Sequence, residues 1–231
     1  MDQHPILDAC PLFAGLSPTD RTYALDYFAA RRQRYAKGDF LNRITFPLPR
    51  FGLVLEGTVQ VYRDDLDGHQ MIMNNVGPGG TFGESYCFLG TDAPIYICAM
   101  QETEVLWLST DRIKRPQRPG RPLDQELANR FVAALARRTL EMNRRIQILS
   151  KTSLRGKLIA FLSQYAPAQG EPFAVPFDRA SMAAFLGADR SALSRELGRM
   201  QAEGILTFHR NVFRLLPRAE DQSARRTSSE K

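Results

Sequence analysis

Apolar and polar positions change their period along the chain, and each change marks an element. Residues 17–30 open on Ser17-Pro18-Thr19-Asp20. Ser17 can cap a helix, Pro18 suits its first position and Asp20 complements the first-turn dipole, so a short helix is predicted there. From about 35 to 109 the apolar stretches are short, at 51–62, 70–76, 95–100 and 105–108. Thr58-Val59-Gln60-Val61-Tyr62 alternates with a period of two, while Asp64-Asp65-Leu66-Asp67-Gly68 and Gly77-Pro78-Gly79-Gly80 carry turn residues. This texture predicts an antiparallel sandwich or small barrel with no helix of useful length inside it.

Three prolines and a glycine between Arg115 and Pro122 break the pattern, and a proline-free stretch follows from 123 to 149. Leu123, Leu127, Phe131, Leu135, Met142, Ile146 and Leu149 recur there at spacings of three, four or seven. One helix with an apolar stripe about 40 Å long is predicted, at 1.5 Å per residue. The stripe can pack on the preceding barrel or on a second copy of the helix. Because it outruns a barrel of this size, it points to a homodimer seam through Leu127, Phe131, Leu135, Met142, Ile146 and Leu149, although different faces can serve both ends. Residues 153–165 read as another amphipathic helix with Leu154, Leu158, Phe161 and Leu162 inward, 167–176 as a loop, and 217–231 as a disordered tail.

The most specific motif is DRASMAAFLGADRSALSRELGRMQAEG at 178–204. Asp178 can cap a first helix that buries Met182, Ala183 and Leu186; Gly187 permits a sharp turn, and a second helix runs over 190–203. Ala183, Gly187 and Leu193 have helix-turn-helix spacing: a small residue for close crossing, a glycine for the turn, an aliphatic anchor. Glu196 departs from the usual aliphatic preference, and Leu197 beside it can supply that contact. Leu193, Leu197 and Met200 must face inward, which leaves Arg190, Ser191, Ser194, Arg195 and Arg199 on the opposite, basic and hydroxylated face. Arginine near the start of a helix in a major groove can bind guanine bidentately, and serine can meet bases or phosphates. Residues 205–216, two short apolar runs around Asn211, suit a β-hairpin wing on which His209, Arg210 and Arg214 can touch phosphate.

Charge sharpens this division. Residues 1–111 carry a net charge of −6 and residues 112–231 one of +12, so an acidic module is joined to one built to meet a polyanion. Cys10, Cys87 and Cys98 are too few and scattered for a disulfide framework, and a reducing cytoplasm is the expected setting. No basic leader precedes an apolar stretch, and none approaches the roughly 18 residues of a membrane span, so neither secretion nor insertion is expected.

The order of elements, together with PLFAGLSPTD at 11–20, YAKGDFL at 35–41, FGLVLEGTVQVY at 51–62 and Phe82-Gly83-Glu84, resembles the CRP/FNR family of bacterial transcription regulators over about residues 10–216. The resemblance implies an α+β fold: an N-terminal antiparallel β-barrel of the jelly-roll, cyclic-nucleotide-binding-like kind, a long dimerisation helix and a C-terminal winged helix-turn-helix. The corresponding segments are an effector-sensing domain at 1–120, the dimerisation helix at 121–150, the DNA-binding domain at 151–217 and a tail at 218–231. It further implies a homodimer on a palindromic operator in double-stranded DNA, with recognition helices about 34 Å apart, contact with RNA polymerase, and no enzymatic activity.

In the family's cyclic-nucleotide members, Gly-Glu meets the ribose and an Arg-Ser or Arg-Ala pair about ten residues later holds the phosphate. Gly83 and Glu84 match, whereas the later pair aligns with Ala93-Pro94, and no Lys or Arg occurs from Asp64 to Asp111. Met142 stands where those members place a hydroxyl against adenine. A phosphate buried without a cation is strongly disfavoured, so no cyclic-nucleotide binding is expected unless Arg137 or Arg138 reaches in from the helix. The remaining expectation is an effector that is neutral, aromatic or cationic, near Gly83, Glu84, Tyr86, Tyr96 and Met142, or else an apolar core in which Glu84 is structural. An iron–sulfur sensor needs four cysteines, haem would need His4, His69 or His209, and a thiol switch would use Cys87 or Cys98, both placed in strands. A cupin-like enzyme would need clustered histidines, where 35–109 has only His69; no metal or cofactor is expected. The recognition helix keeps both arginines of the family's Arg-Glu-Thr-Val-x-Arg pattern and has Ser191 in place of the cytosine-reading glutamate, so an altered half-site is expected.

Overall fold

The computed structural model describes residues 4–43, 47–64, 70–116, 119–167, 171–175 and 177–216. The predicted tail and the turn at 65–68 lie outside them. The chain divides into two compact units, Met1–Thr139 and Leu140–Lys231, with the division inside its longest helix.

The first unit opens with α1 (Ile6–Ala9) and α2 (Pro18–Tyr27), whose first turn is capped by the Ser17 hydroxyl accepting from the Asp20 N–H at 3.2 Å. Eight strands follow: β1 (Arg31–Tyr35), β2 (Phe40–Asn42), β3 (Phe51–Glu56), β4 (Val59–Asp64), β5 (Gln70–Val76), β6 (Thr81–Phe82), β7 (Tyr96–Ala99) and β8 (Thr103–Leu108), with α3 (Glu84–Leu89) between β6 and β7 and α4 (Asp111–Lys114) after β8. They form two four-stranded antiparallel sheets, β1-β8-β3-β6 and β2-β7-β4-β5, rather than one closed barrel. The helix α3 corrects the helix-free reading of this region and moves Cys87 out of a strand. Gly83 at φ +81° and Gly90 at φ +67° flank it, left-handed conformations that glycine adopts without a Cβ penalty, and six residues are too few to show a helical period.

Alternation settles which side chains face inward. Val61 and Ile97 are directly opposed and buried in the core between the sheets. Their neighbours Tyr62 and Tyr96, also opposed, therefore stand on the other face, stacked with ring centres 5.0 Å apart, and Phe40 meets Tyr96 edge-on at 5.9 Å.

The long helix α5 (Pro122–Leu149) belongs to both units. Its first half is fastened to the first: the Tyr23 hydroxyl donates to Asp124, Arg130 donates to the Ala14 carbonyl at 2.7 Å, and Phe131 lies 5.5 Å from the Phe51 ring and 5.6 Å from that of Phe88. Leu127 and Phe131 are thus buried in the core of their own protomer, and Leu135 packs half-buried against it, which removes the first two from the predicted seam. Val132, Leu140, Met142 and Ile146 are 56–61% exposed, and Leu149 is half-buried. Ile148, which the stripe omitted, is buried in the second unit.

In that unit α6 (Leu154–Leu162), capped by Ser153, precedes β9 (Phe173–Ala174), α7 (Arg179–Leu186), α8 (Arg190–Ala202), β10 (Leu206–His209) and β11 (Val212–Leu215). The predicted loop at 167–176 contains β9, which pairs antiparallel with β11 and makes the wing three-stranded. The rings of Phe161, Phe177 and Phe185 meet pairwise at 5.3 Å, and Arg145 lies over Phe185 at 5.1 Å.

Candidate nucleic-acid interface

Two short helices crossing at a glycine need their ends satisfied, because neither is long enough to be stable alone. The Asp178 carboxylate accepts from the Ser181 N–H at 2.7 Å and starts α7. Gly187, at φ +60°, ends it, and the Ala188 N–H returns to the Ala183 carbonyl at 2.9 Å. Asp189, unremarked in the sequence, caps α8 by accepting from the Ser191 and Ala192 N–H groups at 2.8 and 3.0 Å. Leu193, Leu197 and Met200 are fully buried with Met182, Ala183 and Leu186. All five predicted reading residues, Arg190, Ser191, Ser194, Arg195 and Arg199, are exposed on α8.

These caps carry a pH signature. Asp178 titrates below the usual carboxylate range because of the bond from the Ser181 N–H, and Asp189 does so because of the bond from the Ser191 hydroxyl and those from the Ala192 and Ser191 N–H groups. A carboxyl depressed on folding contributes stability above its unfolded pKa of about 3.9, and that contribution is lost as pH falls through the lower folded value. The melting temperature of the second unit should therefore hold from pH 7 to 5 and fall below about pH 4. Circular dichroism of the Asp178→Asn/Asp189→Asn variant should show a shallower acid fall; an unchanged profile would contradict the assignment.

The serines are already engaged. The Ser191 hydroxyl donates to Asp189 at 2.5 Å and that of Ser194 to the Arg190 carbonyl at 3.0 Å, which leaves their lone pairs to accept from a base. Glu196 has its explanation in α6: Arg155 donates to it at 2.6 Å and forks onto Glu203 at 2.7 and 2.9 Å, tying α6 to the middle and the C-terminal end of α8. The pair of carboxylates, Glu203 first, pushes the Arg155 pKa up, and the same contact holds Glu203 down. Glu196 also sits 3.6 Å from Arg199, so Arg199 is partly committed. In the wing it is Arg210, not Asn211, that takes the left-handed turn conformation, at φ +54°. Asn211 instead anchors the turn, its amide donating to the Val175 carbonyl at 3.3 Å. His209, Arg210 and Arg214 are exposed.

The predicted effector residues do not all converge. The Thr81 hydroxyl donates to Glu84, and Tyr86 packs half-buried against the core between the sheets. Tyr96 stands on the opposite face of its sheet, and Met142 belongs to the second unit, more than half exposed. Ala93 is fully buried at the position where the resemblance would place a phosphate-binding arginine. Several cations of the first unit have other partners: Arg32 and Arg34 lie 3.8 and 3.7 Å from Glu104, Arg43 covers Phe40, and Lys114 donates to the Cys87 carbonyl at 3.2 Å. Burial pushes the Cys10 thiol up to about 11 and raises Cys98, so both resist thiolate formation; the Cys87 thiol donates to the Pro49 carbonyl at 3.4 Å. Among the described residues, His4, Glu56 and Glu104 offer ligand atoms within 4.8 Å of one another, with Arg32 and Arg34 set against Glu104.

Residues 32–115 match the cyclic nucleotide-binding domain and residues 156–220 the Crp-like helix-turn-helix domain. The cyclic AMP receptor protein of Thermus thermophilus is 29% identical over 202 residues, covering 85% of this chain and 88% of that protein. A CRP/FNR-family transcriptional regulator of the same organism has a TM-score of 0.50 at 23% identity, covering 81% of this chain and 94% of that one. The c-di-GMP-responsive global regulator CLP of Xanthomonas campestris has a TM-score of 0.60 at 18% identity, covering 87% and 100%. At these identities the two structures attest to the fold. Sensor-like sheets, long helix and capped helix-turn-helix agree with both domain matches, and the chain carries the two domains of CRP/FNR-type transcription regulators, a cyclic nucleotide-binding domain and a Crp-like helix-turn-helix.

Proposed function

We propose that the protein is a homodimer that binds a palindromic operator in double-stranded DNA through α8, contacts RNA polymerase, and responds through its first unit to a small effector other than a cyclic nucleotide. The observation that carries the reading is the exposed basic face of α8 on a helix whose other face is fully buried and whose start is capped. The dimer is supported by Val132, Leu140, Met142 and Ile146, large apolar side chains left more than half exposed along α5, with Met142 and Ile146 four residues apart on the same side of it. Among the described residues no helix is long and apolar enough to cross a membrane.

Selection of bound sequences from random DNA, followed by gel shift, tests the reading. A palindromic site should emerge, and at the base pair that glutamate reads in relatives it should be altered or relaxed, because Ser191 is shorter and already hydrogen-bonded to Asp189. Retention of no sequence over random DNA would reject it.

The effector expectation rests on Ala93, Glu84 and the absence of Lys and Arg from residues 64–111. A cyclic phosphate placed beside Glu84 there would have a carboxylate for a neighbour and no guanidinium from its own segment, a repulsive arrangement in a site of low polarity. Titration calorimetry with cyclic AMP should show no binding up to about 1 mM, at least a hundredfold weaker than a micromolar site. Micromolar affinity would overturn it. Glu84, Tyr86 and Gly83 remain the positions proposed to meet the effector, and a melting-temperature screen over neutral, aromatic and cationic metabolites is the way to find it.

A further inference from the structure

Glu196 is out of place on α8: a carboxylate in the middle of a helix whose exposed face is basic, at a position where the helix-turn-helix spacing favours an aliphatic side chain. We propose that Glu196, locked by Arg155, withholds Arg199 from DNA, so that α8 reads its site with its first two turns and binds DNA less tightly than its basic face would allow. The inference rests on the DNA-binding function proposed above and names a residue that sets its strength.

Glu196, Arg199 and Glu203 follow one another at spacings of three and four, so they share one side of α8. Arg155, on α6, meets that side with its whole guanidinium. Its Nε donates to Oε1 of Glu196 at 2.6 Å, and its two terminal nitrogens donate to the two oxygens of Glu203 at 2.7 and 2.9 Å. The second oxygen of Glu196, Oε2, is left facing Arg199, 3.6 Å from Nη1. Surface ion pairs are weak largely because two long side chains must be ordered to form them. Here one partner is ordered beforehand: the Glu196 side chain is 14% exposed and held by Arg155, so only Arg199 gives up freedom. The Glu203 carboxyl, kept below the usual range first by its bonds from Arg155, is lowered further by the charge of Arg199, which therefore feels two carboxylates. Arg199 also stands in the last turn of α8, where the helix dipole favours a cation.

The exposed arginines nearer the start of the helix are placed differently. Among the described residues, Arg199 has a carboxylate in ion-pair contact, whereas Arg190 and Arg195 act on the cap carboxylates Asp178 and Asp189 only through space. The face thus changes character along α8: two arginines and two serines over the first two turns, then a guanidinium set between Glu196 and Glu203. A recognition helix meets base edges with its N-terminal residues. Arg199, on the third turn, is left with a backbone phosphate as its target, and a phosphate approaching it meets the Glu196 carboxylate as well, a like charge that Arg155 keeps in place.

Affinity for the selected operator and for unrelated duplex DNA is measured across a salt series with the full-length wild type, Glu196→Gln, Arg199→Gln and the double variant. Glutamine keeps the shape of Glu196 and still accepts from Arg155, which stays forked on Glu203. Glu196→Gln should tighten both DNAs roughly fivefold at about 0.15 M salt and steepen the slope of log affinity against log salt by about 0.9, the gain of one phosphate contact. Arg199→Gln should cost less than about twofold in the wild-type background, and in the double variant it should abolish the gain and return the slope to its wild-type value. Glu196→Leu, which places an aliphatic residue where the motif favours one, should show the same gain as Glu196→Gln, whereas a side chain that merely supported the fold would give a loss. If Glu196→Gln leaves affinity and slope unchanged, or if its gain survives in the double variant, Glu196 is not holding Arg199 and the proposal fails. It fails equally if Arg199→Gln alone lowers the slope by about 0.9, since Arg199 would then be in contact with phosphate already. Failure of the wild type to bind DNA at all would reject the proposed function, a separate result.

Discussion

Phe131→Ala is expected to destabilise the first unit by about 3–5 kcal/mol, enough to unfold much of it at 37 °C in a domain of ordinary stability. The ring is 1% exposed and touches those of Phe51, on β3, and Phe88, on α3, in a core that also contains Phe13, Phe28, Leu108 and Leu127. Truncation removes the contact between α5 and both a strand and a helix of the sensor, leaving a void among aromatic side chains that cannot collapse without moving a sheet. Urea unfolding followed by the fluorescence of Trp107, the single tryptophan and part of β8, reports this unit separately from the second. Ile146→Ala is the contrast. At 61% exposure it should leave unfolding within about 0.5 kcal/mol. If α5 is the seam, it should also raise the dimer dissociation constant in sedimentation. A cost below about 1 kcal/mol for Phe131→Ala would mean that the ring belongs to the interface and not to the protomer.

That contrast also shows where the sequence was readable. A stripe at spacings of three and four identifies a helix and its apolar side, but it cannot say which partner covers which turn. Leu127 and Phe131 went to the sheets, Ile148 to the second unit, and Val132 and Leu140 to the exposed surface, all from one period. β1 was missed because Arg31-Arg32-Gln33-Arg34-Tyr35 carries no apolar alternation; its backbone pairs with the fully buried β8, so the neighbour supplies the burial that its own side chains do not. Tyr96 was placed at the effector by proximity in sequence to Ala93-Pro94, and one step of strand alternation turned it to the other face, where Tyr62 stacks on it. The helix-turn-helix was the clearest feature because its constraints are local: a small residue, a glycine at φ +60° and an aliphatic anchor at fixed separations. What remained hidden even there was non-local. Arg155, some forty residues before Glu196, turns an apparent misfit into an ion pair, and the rings that Arg179 covers, Phe208 and Phe213, come to it only when the wing folds.

Leu193→Ala should have the second large effect, about 2–5 kcal/mol in the winged unit, and its consequence for function should exceed that of any single arginine. Leu193 is 0% exposed and sits in the first turn of α8, packed in the cluster that holds Met182, Ala183 and Leu186 of α7. It is the contact by which the turn at Gly187 fixes the direction of α8. The start of the exposed basic face is carried on it: Ser194 is adjacent, Arg190 lies three residues before it, and Asp189, which caps the helix, four. A domain with about 5–8 kcal/mol of stability would keep little reserve after this loss. DNA affinity should therefore fall at least tenfold at 37 °C and recover in part at 10 °C, because the defect lies in the folded population and not in a missing contact. Arg195→Gln, by contrast, should lose affinity by a similar factor at both temperatures. Equal losses at the two temperatures for Leu193→Ala, with an unchanged melting curve, would show that α8 is positioned by something other than this side chain.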